Sequence, residues 1–404
     1  MRSGWTSWVR TAAAGLALAA GVWAQGAGAA EVKNVTAKYQ WPWGVYINYE
    51  VTGTIAEDVP LYVKAVDKTK NVTYYSATNM LSGDTGTAAG KHQVVWDLDK
   101  QGISIQSTNV VFTVEYLPMY CVIDLSAGAN ATSYPVTYMD EPPSGGFNTA
   151  EYKTTKLVLR RIEPRTFTMG SPEDESRRDS DETQHQVTLT KPYYIGLFEV
   201  TQKQWQLVTE YNPSYFSGDK RPVELVSWNN IRGNSETYNW PNSTAVGTNS
   251  FMGRLRARTG LAFDLPTEAQ WEYAARGANL SHGYTYSGSN QTSDVCTFIN
   301  MEGAGMPVGN RKANELGIYD MSGNAMEWCL DWYGDYKLDA ESKNDPKGSD
   351  IGTVRVLRGG ASSKSQPLNE IRDIRVASRR WAFAPSIQYI FIGCRIACHW
   401  SDAE

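Results

Sequence analysis

The groups in this chain that could do chemistry are five cysteines, four histidines and 43 carboxylates set against 38 basic residues. The cysteines stand at positions 121, 296, 329, 394 and 398, which in an oxidising compartment permits up to two disulfides with one thiol over. Cys394 and Cys398 fall in FIGCRIACHW, which reads as one terminal strand. Four residues of strand span about 13 Å, beyond the reach of a disulfide, so a bridge from either must go elsewhere. His92, His185, His282 and His399 are scattered, and no C-x-x-C, H-E-x-x-H, G-x-S-x-G or phosphate-binding glycine loop occurs. The run PEDESRRDSDE (172–182) mixes charge signs and reads as a solvated or ion-paired surface. Between Ala361 and Ile392 stand Trp381, Phe383, Tyr389 and Phe391. Such side chains bury area at little entropy cost and suit protein or carbohydrate contacts. The residues alone leave open whether these four form a ligand surface or part of the core.

The elements that must position these groups follow from pattern. The chain has 404 residues, 41% hydrophobic and 20% charged, with 14 Trp and 35 Gly. That length accommodates two or three domains, and the aromatic and glycine content favours loop-rich packing over long helices. The net charge of -5 comes without a basic stripe, which argues against nucleic acid as a partner. Residues 1–29 read as a signal peptide: Arg2 and Arg10 are basic, Ala12 to Val22 is apolar, and Ala27-Gly28-Ala29 suits cleavage. The expectation is an exported protein, periplasmic or extracellular, with no membrane span in the mature chain.

From 31 to 118 the pattern is β. Val45, Ile47, Tyr49 and Val51 alternate with Tyr46, Asn48 and Glu50, and similar short runs recur between turns. This predicts a small all-β immunoglobulin-like sandwich. Residues 119–155, with Pro135, Pro142, Pro143 and Ser144-Gly145-Gly146, read as a linker. The remainder, 156–404, reads as an α+β domain. Its helix starts are explicit: Thr201 with Gln204, and Thr267 with Gln270, each form a capping box, Val200 and Trp205 a hydrophobic staple, and Gly277 a C-terminal cap. RTFTMGS, HQVTLT, YYIGLFEV, RVLRGG and FIGCRIA read as strands.

The ordered series FTMGSPEDE, KPYYIGLFEVTQKQW, RPVELVSW, FDLPTEAQWEYAARG, NELGIYDMSGNAMEWCLDWYGD, DPKG, RVLRGG, RVASR and GCRIA resembles the formylglycine-generating enzyme (sulfatase-modifying factor) family. The resemblance implies a compact, loop-rich α+β fold related to C-type lectins. It also implies sites. Oxidase members bind copper through a cysteine pair just after the late Gly-Gly and oxidise a client cysteine. Counting from Gly359-Gly360 and back from Arg375 places Lys364 and Ile371 at those positions, and no cysteine lies between Cys329 and Cys394. Soft Cu(I) needs thiolates, so copper is not expected. The iron site of the related sulfoxide synthases needs several histidines in an added helical domain, which this chain lacks. The family pattern also places Ca2+ ligands at Asp320, Glu327 and the Gly323 and Ala325 carbonyls. Carboxylate and carbonyl oxygens suit a hard cation, although Glu327 paired to an arginine accounts equally for that carboxylate. The leading expectation is an exported binding module with structural calcium and a protein or carbohydrate ligand. The alternative is a formylglycine-generating oxidase acting on a client cysteine.

Overall fold

The computed structural model describes residues 31–40, 44–53, 61–70, 72–76, 80–86, 88–101, 105, 107, 109–296, 298–299, 305–336, 343–363, 371–379 and 381–399. The chain divides into two compact units at Met119/Tyr120. The signal-peptide reading of 1–29 lies outside the described residues.

In the first unit the strands are β1 (Glu31–Gln40), β2 (Gly44–Thr52), β3 (Leu61–Asp67), β4 (Val72–Tyr75), β5 (Leu81–Gly83), β6 (Gly90–Trp96) and β7 (Val110–Tyr116), with one helical turn, α1 (Leu98–Gln101). They form two antiparallel sheets, ordered β1-β2-β6-β5 and β4-β3-β7. The alternation read in β2 sends Val45, Ile47, Tyr49 and Val51 inward, where they share one core with Leu61, Val63, Val94, Trp96 and Val114. A period of two delivers one face of each sheet to that core. Gly44, at φ +130°, is required at the start of β2, because a Cβ there would lie 2.1 Å from the Trp96 carbonyl oxygen.

The second unit opens with β8 (Tyr120–Asp124), β9 (Val136–Met139), β10 (Lys156–Ile162), β11 (Arg165–Met169), β12 (His185–Leu189) and β13 (Tyr193–Gly196). Helices α2 (Gln202–Thr209), α3 (Trp228–Arg232) and α4 (Phe251–Thr259) follow, then β14 (Ala262–Asp264), α5 (Glu268–Ala275) and α6 (Thr292–Val295). The chain closes with β15 (Phe298–Ile299), β16 (Met326–Trp332), β17 (Arg355–Arg358), β18 (Ser362–Ser363), β19 (Trp381–Phe383), β20 (Ile392–Gly393) and β21 (Ala397–His399). The principal sheets run β14-β21-β13-β10-β8-β9 and β19-β17-β16-β20. This is the expected α+β, loop-rich architecture.

Two expectations are corrected. Residues 119–155 are not a linker: β8 pairs with β10 and β9 with β8, inside the larger sheet of the second unit. The apolar run Tyr120–Ile123 is buried on both faces, so it lacks the alternation that announces a half-exposed strand. Pro135 precedes β9, an edge strand, where a missing N–H costs no ladder bond. FIGCRIACHW is likewise not one strand. Ile392–Gly393 pairs parallel to β16, and Ala397–His399 pairs with β13 and β14 in the other sheet.

The capping boxes form as read: Thr201 and Gln204, and Thr267 and Gln270, exchange side-chain to backbone bonds. Gly277 lies just past α5 at φ +84°. All eight residues of α5 are buried, two of them glutamates. A fully buried helix is normally apolar all round. Here Glu268 meets Arg379 at 2.9 Å and Arg358 at 3.2 Å, and Glu272 meets Arg276 at 2.7 Å and Arg358.

Candidate functional site

The four aromatic residues singled out from sequence come together. In β19 Trp381 and Phe383 are two apart, so they share a face, and β17 pins the strand through Leu357–Trp381 and Arg355–Phe383 pairing. Successive ring centroids lie 6.0 Å apart for Trp381–Phe383, 6.5 Å for Phe383–Tyr389 and 4.7 Å for Tyr389–Phe391. The Phe383 and Tyr389 planes differ by 7°. The result is a continuous ladder of rings. Trp381, Phe383 and Phe391 are half-buried against the main core, whereas Tyr389 is 46% exposed. The ladder is thus core on one side and surface on the other.

Main-chain bonds hold its frame. The Tyr389 carbonyl accepts from Leu225 N, the Phe391 carbonyl from Met326 N, and the Pro385 carbonyl from Asn229 N. Trp381 Nε1 donates to Asp373 Oδ2 at 3.2 Å. Gly360, at φ +64°, lets the chain after β17 pass the Asp373 backbone, since a Cβ would sit 2.5 Å from the Asp373 carbonyl oxygen. Beside Phe391 and Ile390 a narrow cleft admits Glu224, which is 4% exposed and has a carboxylate oxygen, Oε2, without a partner. Burial raises the Glu224 carboxyl above its ordinary range.

The proposed calcium residues also converge, on a buried turn with Asp320 at φ 60°, Gly323 at φ 106° and Asn324 at φ 63°. Their chemistry is that of an ion pair. Both oxygens of Glu327 accept from Arg395, the closest contact being 2.7 Å, and Oε2 also accepts from Trp271 Nε1 at 2.6 Å. Asp320 Oδ2 accepts from Gly309 N at 2.5 Å, which leaves Oδ1 as the one carboxylate oxygen of the two residues without a partner. Calcium takes six to eight oxygen ligands. With Glu327 committed to a guanidinium, the donor set does not fit that ion.

A third carboxylate, Glu199, escaped the sequence reading. It accepts from Asn324 Nδ2 at 2.6 Å and from Ala325 N at 2.8 Å. Burial, then the Asp320 and Glu327 charges, push it well above the carboxylate range. Burial also lifts Asp320 to about 6, against the Gly309 hydrogen bond. The available signal was a lone Glu inside the apolar run YYIGLFEV.

Of the two positions aligned with the family cysteine pair, Ile371 is 36% exposed, and Lys364 lies outside the described residues. All five cysteines are buried. Burial raises the thiols of Cys121, Cys329 and Cys394, and brings Cys398 to about 12. Thiols held protonated are poor ligands and poor nucleophiles.

A family model for the sulfatase-modifying factor enzyme 1-like domain matches residues 147–400, and the chain belongs to this family. It is 38% identical over 181 residues to the chaperone protein LppX of Paenibacillus barcinonensis, covering 36% of this chain and 64% of that one. It is 33% identical over 191 residues to the formylglycine-generating enzyme of Thermomonospora curvata, covering 43% and 54% respectively. The chain therefore spans less than two thirds of the length of these relatives. Among solved structures, Treponema denticola variable protein 1 overlays with a TM-score of 0.48 at 25% identity, covering 61% of this chain and 96% of that one.

Proposed function

We propose that this is an exported binding protein, in which the family module presents the Trp381–Phe383–Tyr389–Phe391 ladder to a protein or carbohydrate ligand. The observation that carries the reading is the ladder itself: four rings in sequence, backed by core, fixed by main-chain bonds and open at Tyr389. Rigid aromatic side chains of this kind contribute contact area with little ordering cost. The basic start followed by an apolar run in residues 1–29 supports export, and no helix among the described residues is long and apolar enough to cross a membrane. The burial of all five cysteines, which raises the thiols of Cys121, Cys329, Cys394 and Cys398, supports a role other than copper-dependent oxidation.

The test presents immobilised wild-type and Tyr389→Ala chains to a glycan array and to envelope proteins of the producing cells. The expected result is a ligand held by the wild type and weakened at least tenfold by the substitution. Equal retention by both chains removes the ladder as the binding surface. The oxidase alternative is settled separately by incubating the chain with copper, oxygen and a cysteine-containing sulfatase peptide. An aldehyde product in the mass spectrum would overturn the binding-only reading.

A further inference from the structure

The first unit holds an imidazole on its inner face. In the β2–β6 pairing His92 stands opposite Tyr49, and directly opposed residues of a ladder share a face. Tyr49 belongs to the core, as do Val94 and Trp96, two and four residues further along β6, so His92 points inward with them. Its side chain is 8% exposed and lies against the Tyr49 ring, with centroids 5.3 Å apart and planes 26° apart. Two oxygens of the β5–β6 connection reach it. Asp84 Oδ2 lies 2.9 Å from Nδ1, and the Ala88 carbonyl oxygen lies 2.7 Å from Nε2.

Both partners only accept. A carbonyl oxygen has no hydrogen to give, and neither has an ionised carboxylate. Asp84 is kept ionised: the Gly86 N–H, bonded to Oδ1 at 2.9 Å, and then His92 itself hold its carboxyl below the ordinary value. A neutral imidazole carries one N–H and one lone pair, so either tautomer turns a lone pair on one of these two oxygens. The imidazolium, with two N–H groups, matches both. The fit around the ring is close. A Cβ at Gly86 would lie 2.7 Å from Asp84 Oδ1 and 2.9 Å from His92 Cε1, and the Tyr49 hydroxyl donates to the Asp84 carbonyl at 3.1 Å. The adjoining ladder row, Lys33–Glu50–Lys91, carries the nearest charges of β1, β2 and β6 and projects from the opposite face. On the facing sheet β3 turns Leu61, Val63 and Ala65 into the shared core, followed by Asp67, which is bonded to the N–H groups of its own turn.

We propose that His92 is a proton-operated clasp, which fastens the β5–β6 connection to the sandwich as an imidazolium and releases it on losing a proton. Histidine is the side chain that changes charge between about pH 5 and 8. A proton held more tightly with the clasp closed than open favours closure at the acid end of that range, and closure is lost as pH rises through it. Release frees the Asp84 carboxylate and the Gly86 N–H bonded to it, and uncovers the Tyr49 ring. The surface that this part of the first unit offers therefore differs between acidic and alkaline surroundings.

Hydrogen exchange of the full chain tests this, followed by mass spectrometry on peptides spanning 84–91 and corrected for the intrinsic pH dependence of exchange. Across the range of about pH 5 to 8, protection of these amides should fall at least tenfold in the wild type. In His92→Gln, which takes up no proton in that range, protection should be level. Asp84→Asn changes a side chain that is 58% exposed and takes away the carboxylate that favours the imidazolium. It should move the midpoint of the loss toward acid by at least half a pH unit. The proposal is overturned if wild-type protection is the same at both ends of the range, or if His92→Gln keeps the wild-type dependence. An unmoved midpoint in Asp84→Asn also overturns it, and that reading stands even where His92→Gln does not fold.

Discussion

Among the described residues of the N-terminal sandwich, the buried polar side chains are Asp67 and Ser76, whereas the C-terminal unit buries seven arginines: 161, 232, 355, 358, 375, 379 and 395. The contrast follows from how each unit satisfies its backbone. In the sandwich, ladders between strands pair the main chain, while Asp67 accepts from the turn N–H groups of Thr69 and Lys70 and Ser76 from the N–H of Val63. In the loop-rich unit many carbonyls have no strand opposite them, and buried carbonyls must still be matched. Guanidinium groups fill that gap. Arg358 donates to the carbonyls of Val376 and Ala377, Arg355 to Trp240 and Leu330, and Arg395 to Gly196 and Tyr319. Their charge is balanced by carboxylates such as Glu268, Glu272 and Glu327. One unit is closed by apolar contacts, the other by an apolar core together with a buried ionic frame.

The sharpest way to break the comparison is Arg358→Met, which strips Glu268 and Glu272 of a shared partner. Removing one member of a buried pair costs about 3–5 kcal/mol, to be read from the denaturant midpoint of the C-terminal unit. A smaller cost would mean that the ionic frame is dispensable.

Acid comes next. Burial alone would raise the Glu272 carboxyl, but Arg276 and Arg358 outweigh it and hold it below the ordinary value. A depressed carboxyl contributes stability above its unfolded value, near about 4.3, and loses it as pH falls through the folded value. The C-terminal unit should therefore weaken below the usual glutamate range, as followed by its tryptophan emission. Unchanged denaturant midpoints on acidification would contradict this.

In the sandwich, Ile47→Val removes one methylene from an apolar core and should cost about 0.5–1.5 kcal/mol, measured by thermal melting. The smallest expected effect is that of a chelator. With Glu327 held by Arg395, a calcium chelator should leave the melting curve in place, and a clear downward shift would restore the metal at Asp320 and Glu327.

How much was legible in the sequence divides along the same line. The alternation of β2 and the capping boxes at Thr201 and Thr267 are local patterns, and each formed where it was read. The box at Ser227 with Asn230 went unread because its third residue is Asn rather than Glu or Gln. The ladder was legible as a cluster of aromatics, although only the fold shows that Phe383 and Tyr389 stack. The buried ion pairs were not legible, because Arg395 and Glu327 stand 68 residues apart and no local rule joins them. Strand β8 was missed for a related reason: burial on both faces erases the alternation that would mark it.

The arginines that join separate loops act as internal rivets, with consequences for which changes the unit tolerates. A guanidinium presents five donors in a fixed plane, whereas an ammonium is a point charge on a flexible stem. Exchanging Arg358 for lysine preserves the charge facing α5, yet it cannot hold two glutamates and two carbonyls in the same geometry. Sites where charge is kept and shape is lost are therefore where this unit is brittle.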